Sequence, residues 1–343
     1  MKKVFVLLVS ALFSANLSTA CADEWAKDPF MTRTFPASSV KTVEAATSGG
    51  SITVSGDAVQ EATVEVYVSC NKCSDEKIKQ LLEENYTIDV KLKGGKLYVA
   101  AKQKGKITNW NQQGLSISFK ISVPKQVNSN LQTSGGSIQI SNLSGSQDFK
   151  TSGGSLTVEN VSGNIVGKTS GGSITVTGSK DDIDLKTSGG SITAKDCSGK
   201  IFLKTSGGSI RMSNLNGDID ASTSGGNVTA NDIQGALKTG TSGGSVKLDG
   251  ISGSVDAHTS GGIVTVAMES VSDYVKLSNG GNINLTLPAG NGYNLKIKAN
   301  KIETSGLRDF RGDMDSGNLE GTTGNGGPNI EVRTSQRAGL SFK

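Results

Sequence analysis

The chain has 343 residues, 45 of them glycine and 5 proline, and only 5% aromatic residues, a composition that argues against a core built round large rings. Glycine at this density without a three-residue period excludes collagen and indicates many turns. The formal charge of +4 falls to +2 once two lysines of an N-terminal leader are discounted, so it gives no ground for a nucleic-acid partner or an acidic membrane surface.

Residues 1–22 have the three parts of an export leader: Lys2 and Lys3, the apolar run VFVLLVSALFSA, and a small-residue end. The apolar run is too short to span a bilayer. Ala20-Cys21-Ala22 fits ordinary signal-peptidase cleavage before Asp23, the plainer reading. Ser18-Thr19-Ala20-Cys21 is also a loose lipobox, with the usual leucine one place early at Leu17, and would leave Cys21 lipidated. Both readings stand, and both place the mature protein outside the cytoplasm, touching a membrane only through a lipid at Cys21.

Residues 23–132 are expected to form an N-terminal β-rich cap. Strand-like TVEVYV, IDVKLKGGKLYVAA and LSISFKISVP flank one short helix near 74–85, whose Ile78, Leu81 and Leu82 share a face. Cys70 and Cys73 form CNKC just before that helix. The surroundings of a thioredoxin motif are absent, as are the second CxxC or the histidines of a zinc site. A local disulfide, allowed by an oxidising compartment, is the plain reading.

From Thr133 the chain repeats. TSGG begins at Thr133, Thr151, Thr169, Thr187, Thr205, Thr223, Thr241 and Thr259, always 18 residues apart; a further copy stands alone at Thr47, and a degenerate SNGG at Ser278. A fixed period of this size denotes a stacked array. With the threonine as unit position 1, aliphatics recur at positions 6, 8, 11, 15 and 17, and the period-two alternation reads as strand. Each unit divides into two short strands joined by two glycine corners, where the sequence suggests φ > 0 as the reason for glycine. Asn160, Asp196, Asn214 and Asp232 sit near the second corner, and Asp181 replaces its usual glycine.

The expected fold is therefore all-β: a parallel β-solenoid of 18-residue, two-strand coils over 133–285, right-handed by the rule for parallel crossovers. Cys197, at position 11, is expected to be a buried apolar residue. A left-handed hexapeptide helix would need aliphatics every six residues. A calcium-binding roll would need GGxGxDxUx, which is missing. The register breaks after Thr259, and residues 286–343, with LTLPAG, YNLKIKA and NIEVRTS, are expected to cap the other exposed sheet end.

Chemistry is sparse. The one histidine, His258, takes a position that carries lysine in other units, and is expected to face solvent. Asp148, Asp184, Asp220 and Asp256 recur at position 16, with Lys150, Lys168, Lys186 and Lys204 two places on. Paired carboxylates would suit a polysaccharide lyase or hydrolase, but this pattern is spread along the array instead of gathered at one spot. The outward Ser155/Thr157, Ser173/Thr175 and Ser191/Thr193 resemble flat hydroxyl arrays, interrupted by Arg211 and Lys247. Trp25 and Trp110 lie outside the repeats, so aromatic sugar platforms have little support there. No catalytic residue, cofactor or metal site is read from the sequence.

The TSGGSI repeats, the leader, and ISFKISVPKQVNSNLQTSGGSIQI leading into the array resemble the bacterial β-strand-repeat putative adhesin, or toast-rack, family, over about residues 40–335. The resemblance implies an extracytoplasmic β-solenoid and supplies no catalytic residues. The expectation is a non-enzymatic envelope or cell-surface protein that binds an envelope, cell-surface protein or glycan partner. Envelope-stress sensing is the alternative of a different class.

Overall fold

The computed structural model describes residues 28–105 and 114–343. The leader, Cys21, Trp25 and Trp110 lie outside the described residues. The chain is mostly β, with one α-helix, Asp75–Asn85, and a short 3-10 turn at Ala37–Ser39. Its strands join in one large, mostly parallel sheet system.

Strand Leu156–Glu159 lies between Ile138–Ser141 and Ile174–Thr177, parallel to both, with every residue opposite the one 18 places away. Ser162–Lys168 lies between Ser144–Lys150 and Lys180–Lys186 in the same register. From Ile192 the two strands of a unit run on through the second corner as one long strand, as in Ile192–Lys204 and Ile210–Ser222. Like residues therefore stand above like, about 4.8 Å apart.

Alternation decides what is buried. Positions 6, 8, 11, 15 and 17 point inward, and in the unit of Thr187 they are Ile192, Ala194, Cys197, Ile201 and Leu203, all buried. These columns form one continuous core along the stack. Each buried Ile or Leu stabilises it by roughly 1.5–3 kcal/mol. Small and large residues compensate between units: a Cβ on Gly167 would fall 2.5 Å from the Phe149 ring, so glycine there makes room for the phenylalanine. Both polar atoms of the buried Gln147 are bonded, Oε1 accepting from Ser129 Oγ at 2.5 Å and Nε2 donating to Val127 O at 2.7 Å.

The two corners use glycine for different reasons. At the second corner, position 10 is left-handed, with Asn160 at φ 53° and Asp196 at 54°, and position 13 has glycine at larger positive φ, as in Gly163 at 104°. Asp181 holds that second place at φ 81°, and its carboxylate accepts from Gly163 N at 2.9 Å. At TSGG the expected positive φ is absent; none of these glycines has one. A Cβ on the second glycine, Gly172, would instead fall 1.9 Å from the carbonyl oxygen of Gly154 in the preceding unit. Close approach of stacked backbones, not turn geometry, requires glycine there.

The stacking extends past 133–285 in both directions. Thr42–Ala46 and Ile52–Asp57, which flank the isolated TSGG at Thr47, lie in parallel register on Asn128–Gln132 and Ile138–Ser141. Lys96–Gln103 and Ser116–Pro124 stack outside them. This earliest turn of chain is thus held between two later ones. Antiparallel Tyr86–Lys93 and Glu61–Ser69 then cover the outer strands, and Met31–Pro36 adds to the latter. The helix starts at Ser74, whose Oγ accepts from Lys77 N, and it buries Ile78, Leu81 and Leu82.

The other end repeats the device. Asn329–Thr334 and Arg337–Phe342, the last strands in sequence, lie between Val264–Asn279 with Ile283–Leu287 on one side and Tyr293–Lys298 with Lys301–Ser305 on the other. Asn318–Thr323 and Phe310–Met314 finish that end in antiparallel pairing.

Candidate binding face

The second strand of each unit turns positions 14, 16 and 18 outward, and register turns each position into a column. Position 16 runs Asp148, Val166, Asp184, Phe202, Asp220, Lys238, Asp256 and Lys276. The four aspartates expected on one column are there, but each is separated from the next by a rung bearing another residue. Two rungs are roughly 9.6 Å.

Position 18 runs Lys150, Lys168, Lys186, Lys204, Ser222, Gly240, His258 and Ser278, and then continues into Arg333 and Lys298 through the inserted C-terminal strands. Ten rungs carry no carboxylate. His258 is exposed, and its ring fills the space a side chain at Gly240 would need. Among the described residues Lys150, Lys168 and Lys204 have no ion-pair partner. Of the four lysines Lys186 is held, 2.7 Å from Asp184 Oδ2 and 4.7 Å from the centre of the Phe202 ring, and farther along the column Arg333 pairs with Glu331. The other oxygen of Asp184 is covered and has no hydrogen-bond partner.

Round Phe202 the face is concave, with a volume of about 340 Å³ lined by Asp184, Lys200, Phe202, Asp218, Asp220 and Lys238. A second concavity of about 580 Å³, lined by His258, Ser278, Lys298, Arg333 and Thr334, lies farther along the position-18 column. Phe202 is the residue that the sequence reading passed over. Its even unit position, outside the apolar set, was the available signal: Phe149, the other aromatic of the regular units, takes position 17 and is buried.

The first strand presents a different face. Thr157, Thr175 and Thr193 stack at position 7, where Arg211 replaces threonine in the next unit. Several position-5 serines accept from the backbone of the next unit, as Ser173 Oγ does from Ser191 N at 3.3 Å and Ser191 Oγ from Ser209 N at 3.1 Å.

Cys70 and Cys73 are disulfide-linked, with Cα atoms 5.5 Å apart, at the exposed turn before the helix. Cys197 is buried, 3.1 Å from Lys195 O, and burial pushes its thiol pKa up. No group of three or more His, Cys, Asp or Glu side chains able to hold a metal occurs among the described residues. No helix among them is long and apolar enough to cross a membrane.

Two solved structures align with the chain over most of its length. A putative cell adhesion protein from Clostridium sporogenes shares 12% identity over 91% of this chain and 98% of its own, with a TM-score of 0.19. A putative adhesin from Bacteroides fragilis shares 16% over 91% of this chain and 95% of its own, with a TM-score of 0.25. At those scores the superpositions carry no functional weight. No family model and no curated protein sequence matches the chain.

Proposed function

We propose that this is an exported, non-enzymatic binding protein of the cell envelope or surface, of adhesin type, in which a right-handed β-solenoid presents long columns of like side chains to a partner. One observation carries the reading: parallel register continues from the turn at Thr47 through the array to Lys298, so the outward chemistry is distributed along columns. A catalytic site requires a nucleophile, a base and an orienting group gathered round one reacting atom. The position-16 aspartates alternate with Val166, Phe202 and Lys238, and the single histidine rests on Gly240.

Location outside the cytoplasm is supported by the basic start and apolar run of residues 1–22, with Cys21 as the position for a lipid anchor if the lipobox is used. The Cys70–Cys73 bridge suits an oxidising compartment. The domain reading becomes a leader, an N-terminal cap that contributes the turn at Thr47 to the array, the repeats, and a C-terminal cap.

The test is retention of purified protein on envelope fractions and whole cells of the source bacterium, with a fluorescent label followed by sedimentation. Saturable binding supports the reading. Absence of binding to either, or product release from a broad glycan panel, overturns it.

A further inference from the structure

The lysine row at position 18 is a feature the stacking does not require. Like charges directly opposite one another on neighbouring strands destabilise a sheet. The same column accepts Ser222 and Gly240 without any break in pairing. Yet Lys150, Lys168, Lys186 and Lys204 stand on four successive rungs, and cationic side chains return to the column at Arg333, which pairs with Glu331, and at Lys298.

We propose that this row is a docking track for a linear glycan bearing carboxylate groups, lying along the stack. This deepens the binding reading above and rests on it. The ammonium groups are in single file, about one rung of 4.8 Å apart, which suits a thin polyanion with charges at regular intervals. Three of the four make no ion pair within the protein, so a ligand carboxylate breaks none there. The fourth, Lys186, is fixed in place by Asp184 and by the ring of Phe202.

The neighbouring column supplies what a sugar needs besides charge. Asp148, two residues before Lys150, and Asp220, two before Ser222, are acceptors for ring hydroxyls, and Phe202 gives the concavity an apolar floor. Those same aspartates argue against a nucleic acid. A polynucleotide broad enough to cover both columns would bring its phosphates onto carboxylates, and Phe202 is the single outward aromatic of the regular units on which a base could stack.

The experiment measures binding of the purified chain to polygalacturonate, dextran and a DNA duplex by calorimetry at low and moderate salt. Two triple variants go in parallel. Lys150→Gln/Lys168→Gln/Lys204→Gln empties the row; Lys180→Gln/Lys195→Gln/Lys247→Gln removes equal charge from other columns. Polygalacturonate should bind, dextran and duplex should not, and added salt should weaken the complex. The row variant should lose about tenfold or more in affinity and the control triple less than about twofold. The row variant should also melt no lower than the parent, since it removes repulsion.

Equal losses in both triples, or equal binding of duplex, overturns the proposal. Binding to envelope fractions without binding to polygalacturonate overturns the proposal and leaves the binding function standing. Failure to bind either removes both.

Discussion

Thr169 Oγ1 donates a 2.8 Å hydrogen bond to the carbonyl oxygen of Gly154 in the preceding unit, and accepts one from the N–H of Gly172 in its own turn at 3.3 Å. The same pair of bonds recurs at Thr151, Thr187, Thr205, Thr223, Thr241 and Thr259. At the irregular end Asn279 takes over, donating to Gly262 O at 2.8 Å. The repeated threonine thus satisfies backbone groups that a buried corner would otherwise strand. Thr169→Val keeps the shape and removes the hydroxyl, so it should cost about 1–3 kcal/mol in urea unfolding, whereas Thr169→Ser should cost much less.

The two glycines of one TSGG should behave differently. A Cβ at Gly172 would lie 1.9 Å from a stacked carbonyl oxygen, while one at Gly171 would lie 3.6 Å from the nearest atom. Gly172→Ala must push two backbones apart and should destabilise by about 3 kcal/mol or more; Gly171→Ala should fall within about 0.5 kcal/mol of the parent. Thermal unfolding of the two variants decides it. Equal effects would remove the close-approach argument.

Gly178 and Gly250 occupy the left-handed position-10 site, at φ 62° and 65°, where neighbouring units have Asn or Asp. In that column Asn214 Nδ2 donates to Asp196 Oδ1 at 2.7 Å. A Cβ at Gly178 would lie 2.4 Å from Asn160 Oδ1, the far end of a side chain that can turn away, and Asn160 and Asp196 already hold this φ, so Gly178→Asn should stabilise by at most about 1 kcal/mol, chiefly by restricting the unfolded chain. A rise in denaturation midpoint at unchanged slope is the expected readout.

Cys197 is the free cysteine among the described residues, and burial raises its pKa. A raised pKa disfavours the thiolate, the reactive form. Iodoacetamide at mildly alkaline pH should leave Cys197 unmodified in the folded protein and label it once urea unfolds the chain, as read by intact mass. Prompt labelling without denaturant would contradict the buried placement.

Much of the array was legible because stacking is a one-dimensional code. Period and parity together place Ile174, Val176, Ile183 and Leu185 inside without any knowledge of long-range contacts. The reason for TSGG was less accessible, because positive φ and close backbone approach both delete a Cβ and leave the same letter. The neighbour of Thr47 was hidden for a different reason. Its partner turn at Thr133 lies far along the chain, past a helix and several strands, and no local signal specifies which later segment will pair with it. Phe202 could have been found by parity alone. The return of basic residues at Arg333 and Lys298 could not, since those residues join the column only through inserted strands.

The clasping of the turn at Thr47 and of the last two strands between other turns has a consequence for growth. Neither end can accept a new rung without dismantling its clasp. A whole 18-residue unit spliced in between two TSGG corners, however, meets the same neighbours above and below as any existing unit. Length can therefore change only from the middle, in steps of about 4.8 Å. Such a molecule is a ruler whose ends are fixed fittings and whose span is set by the number of internal duplications, which also sets how many charges the track can offer.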